Sequence, residues 1–260
     1  MAKLPRFLLT PRWIALLLFA LVVAGVCIRL GIWQLDRLEQ RRALNASVER
    51  GLAAEPVPVQ QLIPPGGPTE GLSDLAYRRV TATGTLDPEH EVLLFGRALD
   101  GRPGHHVLTP LVLGDGRVLV VDRGWVPYEL DTPPVAEAAP SAGEVTVTGF
   151  LLPPVEDAGA ASERSPDGRV LAVTALDVAT VLEAVPAPPV PLAMQLQEVL
   201  PASATELPRV VPPPELSEGP HLSYAIQWFT FATIALVGYA VLVRREIRDR
   251  DRERATTDPA

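Results

Sequence analysis

His221 opens the last long apolar run of the chain, in the sequence GPHLSYAIQWF over 219–229. On a helix, Tyr224, Ala225 and Trp228 follow it at three, four and seven residues and share its face. An imidazole with a tyrosine and an indole beneath it can cradle the edge of a flat macrocycle. The small Ala225 and Ala232 leave room for such a ring or for close helix packing. Haem iron takes an axial imidazole readily, so His221 is a candidate axial ligand with Tyr224 and Trp228 beside it. The same residues fit a plainer arrangement, in which an interfacial histidine caps the helix or packs on Trp33. Trp33 and Trp228 are then aromatic-belt residues.

Other polar groups invite the same pair of readings. Gln34 and Gln227 lie near the outer ends of apolar segments, where an amide is costly and needs a partner. Gln227 is six residues past His221, about 9 Å along a helix, within reach of a neighbouring helix or a haem substituent. Helix–helix adhesion is the favoured role. Arg123-Gly124-Trp125 ends the most apolar strand pattern. A guanidinium suits bidentate carboxylates such as haem propionates, Gly124 allows close backbone approach, and Trp125 can stack. An ion pair of Arg123 with Asp122 or another acid, beside a core tryptophan, fits at least as well. Tyr77, Arg78 and Arg79 share this ambiguity. His105 and His106, adjacent on a strand, face opposite sides and chelate poorly; only a fold that brought His90 to them would make a metal site. No nucleophile elbow, HExxH or phosphate-cradling glycine loop is present, and the expectation is a protein that is not an enzyme.

These groups hang on two apolar segments and a domain between them. Trp13–Trp33, broken only by Arg29, and Tyr224–Val243 each reach the roughly 20 residues that cross a bilayer. A signal peptide is the alternative for the first. No clean small-x-small site follows it, and Val26 fits a lipoprotein site before Cys27 poorly, so an uncleaved anchor is expected. The N-tail is too short for an organellar transit peptide. Lys3, Arg6 and Arg12 precede the first segment, and Arg244, Arg245, Arg248, Arg250, Arg252 and Arg254 follow the second, which places both tails in the cytoplasm. The division expected is a cytoplasmic N-tail at 1–12, transmembrane helices at 13–33 and 222–243, an extracytoplasmic domain at 34–221 and a basic cytoplasmic C-tail at 244–260.

That domain carries 13 arginines against 26 acidic residues, a net charge of −13, which argues against a nucleic-acid partner. Cys27 is the single cysteine, so no intrachain disulfide forms and no thiolate pair holds copper. One lysine against 22 arginines, with abundant Ala and Pro, is the composition of a high-GC bacterium.

Gln34–Ala53 has the leucine and charge pattern of a helical extension, and the proline-rich 55–68 reads as a linker. Strand patterns follow at 77–86, 90–99, 106–113, 117–126, 144–152, 170–174 and 192–200. A hairpin turn is expected at Asp115-Gly116, a short helix at 176–185, and Pro- and Gly-rich connections at 131–143 and 153–168. The fold class expected is a membrane protein of the α+β kind. Two transmembrane helices flank an extracytoplasmic antiparallel β-rich domain, either a sandwich or a partly closed barrel.

Four segments, LGIWQLDR at 30–37, YRRVTATGTL at 77–86, LVVDRGWVP at 119–127 and GPHLSYAIQWFTFA at 219–232, resemble the SURF1 family of cytochrome c oxidase assembly factors. Their order and the two-span layout match as well, so the resemblance covers nearly the whole chain. It implies a bacterial plasma-membrane protein that helps mature the haem a-containing catalytic subunit of the terminal oxidase. It also implicates His221 in binding haem a, and makes the oxidase's catalytic subunit, the haem a synthase and the lipid membrane the expected partners. The sequence departs from the family pattern where an aromatic commonly follows Gly104 and His105 stands instead. A membrane-tethered scaffold that stabilises the oxidase without touching haem is the alternative, and an outer-face hydrolase or sensor a third.

Overall fold

A computed structural model describes residues 5–67, 70–155, 161–202 and 205–257. Lys3 of the basic N-tail, Pro68 of the expected linker and 156–160 of the expected connection at 153–168 lie outside the described residues. The chain divides into two compact units, residues 1–45 with 216–260 and residues 46–215.

The first unit is built on α1, Pro11–Ala53, and α4, His221–Thr257. Both are long and apolar enough to cross a membrane by length and composition. Helix α1 continues without a break from the apolar segment into the charged extension, as the pattern of Gln34–Ala53 predicts. Helix α4 likewise carries on beyond Val243 through the basic tail. Early residues of α1 meet late residues of α4, so the two run antiparallel. Trp13 lies edge-on to Tyr239 at 6.2 Å, and Ala24 and Cys27 cluster with Ala232 and Trp228. A Cβ added at Gly31 would come within 2.7 Å of the Phe229 ring. Small residues at these crossings let the backbones approach. Other apolar side chains, among them Phe19, Val22, Ile226 and Ile234, remain exposed.

The second unit holds β1 (Val57–Pro58), α2 (Val59–Leu62), β2 (Arg79–Leu86), β3 (Val92–Leu99), β4 (Arg102–Leu113) and β5 (Val118–Pro127). It continues with β6 (Glu144–Leu151), β7 (Ser162–Arg164), β8 (Val170–Val173), α3 (Val178–Val181) and β9 (Met194–Leu200). Strands β2, β6, β9, β5 and β4 pair in that order and β4 pairs back onto β2, which closes a five-stranded ring. Strands β3, β8 and β7 extend the sheet from β4. The partly closed barrel, rather than the sandwich, is therefore the architecture. Its interior takes alternate residues from every ring strand: Val80 and Ala82, Leu111 and Leu113, Leu119 and Val121, Val145 and Val147, Met194 and Leu196. Strand β5 is buried on its other face too, where Val118 and Val120 pack with Val92, Leu94, Val170, Val173, Val181 and Leu182.

Ring closure requires β4 to serve two neighbours along one edge. Its first half pairs with β3 and its last three residues with β2. Gly84 makes the second pairing possible, because a Cβ there would strike the Val112 carbonyl.

Several expectations change. The sheet is mixed rather than antiparallel, since β1–β2, β3–β8 and β5–β9 are parallel, each over two residue pairs. Parallel neighbours need long crossover connections; those from β3 to β8 and from β5 to β9 contain other strands, and that from β1 to β2 contains α2. Strand β4 begins at Arg102, not His106, because Asp100 and Gly101 both take positive φ (52° and 73°) and form a two-residue hairpin; Asp-Gly is a favoured pair for that turn. The helix expected over 176–185 is one turn, capped by Asp177, whose carboxylate accepts from the Thr180 N–H at 3.1 Å. The stretch 55–68 is not merely a linker: it contributes β1 and α2, and Val59 and Ile63 enter the barrel core.

The charges inside this unit are paired. Glu91 accepts from the Val135 N–H at 2.8 Å and the Thr109 hydroxyl at 3.2 Å, and faces Arg123 at 3.4 Å. The Arg123 guanidinium also donates to the Ala138 carbonyl at 2.7 Å. His106 Nδ1 and Asp122 lie 2.8 Å apart on β4 and β5. Burial raises the Glu91 carboxyl above the ordinary carboxylate range against the opposing pull of Val135, Arg123 and Thr109. Burial likewise lowers Arg123, with Glu91 opposing. His105 is buried between Phe95 (4.4 Å) and Tyr128 (5.2 Å), ring to ring. It therefore fills an aromatic slot, and burial holds it below the ordinary histidine range.

Two predictions follow from these groups. Folded His105 resists a proton that the unfolded chain accepts, so its contribution to stability is present above the ordinary histidine value and is lost as pH falls below it. His105→Phe should fold and show a shallower loss of urea stability between pH about 7.5 and about 5. Arg123→Met strands a buried carboxylate and should cost about 3–5 kcal/mol at neutral pH. A carboxyl with a raised folded value is most favourable at acid pH and loses that stability as pH rises through that value. The deficit of Arg123→Met in the same urea titrations should therefore shrink on acidification.

Candidate functional site

The helical unit brings together two polar residues that stand 187 apart in sequence. His221 is the first residue of α4, and Pro220 before it accepts the opening helical hydrogen bond from the Tyr224 N–H at 3.1 Å. The imidazole does not cap its own helix. Its Nδ1 lies 2.8 Å from Oε1 of Gln34 on α1. An amide needs a partner where an apolar helix ends, and here each polar group supplies the other's. Gln34 is buried by this arrangement and His221 half-buried.

Among the described residues His221 Nε2 makes no hydrogen bond. The Cδ2–Nε2 edge of the ring lies near Gly219, which has φ +68°; a Cβ placed there would sit 3.5 Å from Nε2 and 3.4 Å from Cδ2. Glycine thus supplies both the left-handed turn into α4 and open space beside the nitrogen. A neutral imidazole with one nitrogen engaged and the other open is a donor suited to haem iron. Among the described residues no group of three or more His, Cys, Asp or Glu side chains converges as a site for a bare metal ion, so His90, His105 and His106 form none.

A second tie lies close to where this unit's two segments meet the β unit in sequence. Arg42 on α1 holds Glu218 in a bidentate ion pair, with nitrogens 2.8 and 2.9 Å from the two carboxylate oxygens. Its hydrogen bonds and charge draw Glu218 below the ordinary carboxylate range. Arg37 lies over the Trp33 ring at 5.7 Å.

The remaining candidates divide. Trp228 is half-buried, in the cluster with Ala24 and Cys27 and edge-on to Phe231 at 5.9 Å. Ala225 is buried, whereas Tyr224 and Gln227 on the same helix are exposed. The polar link between the helices is made by Gln34, and Gln227 makes no hydrogen bond among the described residues. Arg123 and Trp125 belong to the β unit and are buried there. The ion-pair reading of Arg123 holds, with Glu91 rather than Asp122 as the acid, because Asp122 is engaged by His106. Trp125 lies across Gly104, where a Cβ would collide with the indole, and its backbone bridges Arg209 through two 2.8 Å hydrogen bonds. A cavity of about 400 Å³ is bordered by Arg123, Arg209, Leu86, Leu196 and Val210. Both of its arginines are spoken for, Arg209 by Asp100 at 2.9 Å.

Sequence reasoning flagged Gln34 and His221 separately and missed their pairing. The signal was the mutual position of the two residues, each at the outer end of an apolar segment.

Comparison with known proteins places the chain among its relatives. The SURF1 family model matches residues 21–233. An uncharacterized SURF1-like protein of Mycobacterium tuberculosis is 31% identical over 98% of this chain and 93% of its own length. Surfeit locus protein 1 of Mus musculus is 30% identical over 51% of this chain and 46% of its own. The cytochrome oxidase assembly protein SHY1 of Saccharomyces cerevisiae is 30% identical over 45% of this chain and 29% of its own. With the match running from within α1 to within α4 and taking in both Gln34 and His221, the chain belongs to the SURF1 family.

Proposed function

We propose that this protein is an assembly factor for the haem–copper terminal oxidase, cytochrome c oxidase. It binds haem a transiently through His221 and aids its delivery to the oxidase's catalytic subunit. The observation that carries the reading is the open Nε2 of His221 at the head of α4, beside a glycine that leaves room for a ligand. The yeast relative, named as a cytochrome oxidase assembly protein, supports the oxidase as the partner.

On this reading α1 and α4 cross the bacterial plasma membrane, both termini are cytoplasmic and the β unit is extracytoplasmic. The exposed apolar side chains of both helices support it, because contiguous apolar surface of this kind is unusual toward water. So does the arginine-rich tail after the second apolar segment. His221 then lies at the outer interface, where a lipid-soluble macrocycle resides. Bound haem would supply an iron that accepts the Nε2 lone pair. The chain's own residues do the rest: Gln34 holds the ring, Gly219 clears its open side, and Tyr224 and Trp228 offer aromatic surface one and two turns along α4. A single protein ligand suits a carrier that must release its cargo. No catalytic step is assigned.

The test is the visible spectrum of the full-length protein purified from cells that make haem a, wild type beside His221→Ala. A haem a band lost or shifted in the variant is the expected result. No haem in either protein, with oxidase subunits still co-purifying, would replace this reading by that of a scaffold.

A further inference from the structure

We infer that Gln34 is a positioning residue: it fixes His221 as the Nδ1–H tautomer and so presents the Nε2 lone pair to a metalloporphyrin iron. The inference rests on the reading of His221 as the ligand and adds how the ligand is set.

The chemistry follows from the donor inventory. Oε1 of an amide only accepts, so at 2.8 Å Nδ1 must carry the hydrogen. A neutral imidazole protonated on Nδ1 has its lone pair on Nε2. Histidines that ligate metals commonly donate their other N–H to a fixed acceptor, which sets the tautomer and ring orientation and raises the basicity of the ligand. Here the acceptor is a buried side chain on a different helix, whose backbone is fixed by packing further down: Gly31 against Phe229, and Cys27 with Ala232 and Trp228. The ring plane is thereby defined by two helices. A Cβ built at Gly219 would lie 3.5 Å from the open nitrogen, and besides His221 and the two adjoining residues no side chain among the described residues comes within 4 Å of that position. If the contact were adhesion alone, either tautomer of the pair would serve, and nothing would keep the far nitrogen clear.

The experiment uses full-length protein in detergent micelles, labelled with ¹⁵N-histidine. The chain has four histidines, and His221→Ala assigns the signals of the fourth. In the absence of porphyrin, wild type should show His221 with a protonated Nδ1 and a pyridine-like Nε2. Gln34→Leu should shift it toward the Nε2–H form that free imidazole prefers in water, and Gln34→Glu should keep the Nδ1–H form. Titration with iron protoporphyrin IX, followed in the Soret region, should give a Kd raised about 10- to 100-fold in Gln34→Leu and restored in Gln34→Glu. Gln34→Asn, whose shorter amide falls away from Nδ1, carries the test if the leucine variant does not fold.

A wild-type His221 protonated on Nε2 overturns the inference whatever the porphyrin does. A tautomer shift in Gln34→Leu with an unchanged Kd, while His221→Ala raises it, overturns the positioning role and leaves the ligand in place. An unchanged Kd in His221→Ala overturns the ligand reading itself, and the ¹⁵N spectrum then shows the Gln34 contact to be adhesion alone.

Discussion

The helical unit depends on one requirement: two apolar segments far apart in sequence must find each other in a single antiparallel register. Apolar packing alone would tolerate several registers, because lipid-like surfaces slide past one another at little cost. The Gln34–His221 hydrogen bond and the Arg42–Glu218 ion pair remove that freedom, since a shift of one turn, about 5.4 Å, would leave each group without its partner. Below them the fit is steric. Gly31 admits the Phe229 ring, and Ala24, Cys27 and Ala232 share one cluster with Trp228. Polar specificity at one end and small-residue packing along the rest are complementary ways of holding one alignment.

The β unit solves a different problem. A five-stranded ring leaves little interior, so its inward positions are almost entirely aliphatic. The charges that remain are placed between layers and matched to one another: Glu91 to Arg123 and His106 to Asp122. Pairs of this kind contribute little net stability, yet losing one partner is costly. The His106–Asp122 pair ties β4 to β5 at the irregularity in their register, and the Glu91–Arg123 pair ties the start of β3 to β5. Of the residues of this unit that most resembled a ligand site, Arg123 is engaged by Glu91 and Trp125 is packed across Gly104.

The strands that declared themselves in sequence were those with alternation and a local turn. Residues 79–86, 118–127 and 144–151 are strands close to where the pattern placed them. The Asp115-Gly116 hairpin follows from the same chemistry that, at Asp100-Gly101, went unread because Pro103 and Gly104 just beyond it look like loop residues. Parallel pairings were not legible, since nothing in β5 or in β9 alone announces the other. The helix at 176–185 shrank to one turn because its leucines and valines are claimed by the outer core rather than by helical periodicity. His221 and Gln34 were both conspicuous, one as an imidazole and the other as an amide among apolar neighbours. Their bond was not, because a contact between residues 187 apart is a property of helix register and leaves no mark in either segment.

That separation also has a consequence in time. A ribosome adding about 5–20 residues per second needs roughly 10–40 s to pass from Gln34 to His221, and the whole β unit is made in the interval. During it the amide of Gln34 is without His221. The proposed ligand appears only as α4 emerges, so a chain cut short before it presents no half-built site. The contact is among the least local in the molecule, and contacts of that kind form late. The two residues can therefore meet only after the whole of the β unit has been made.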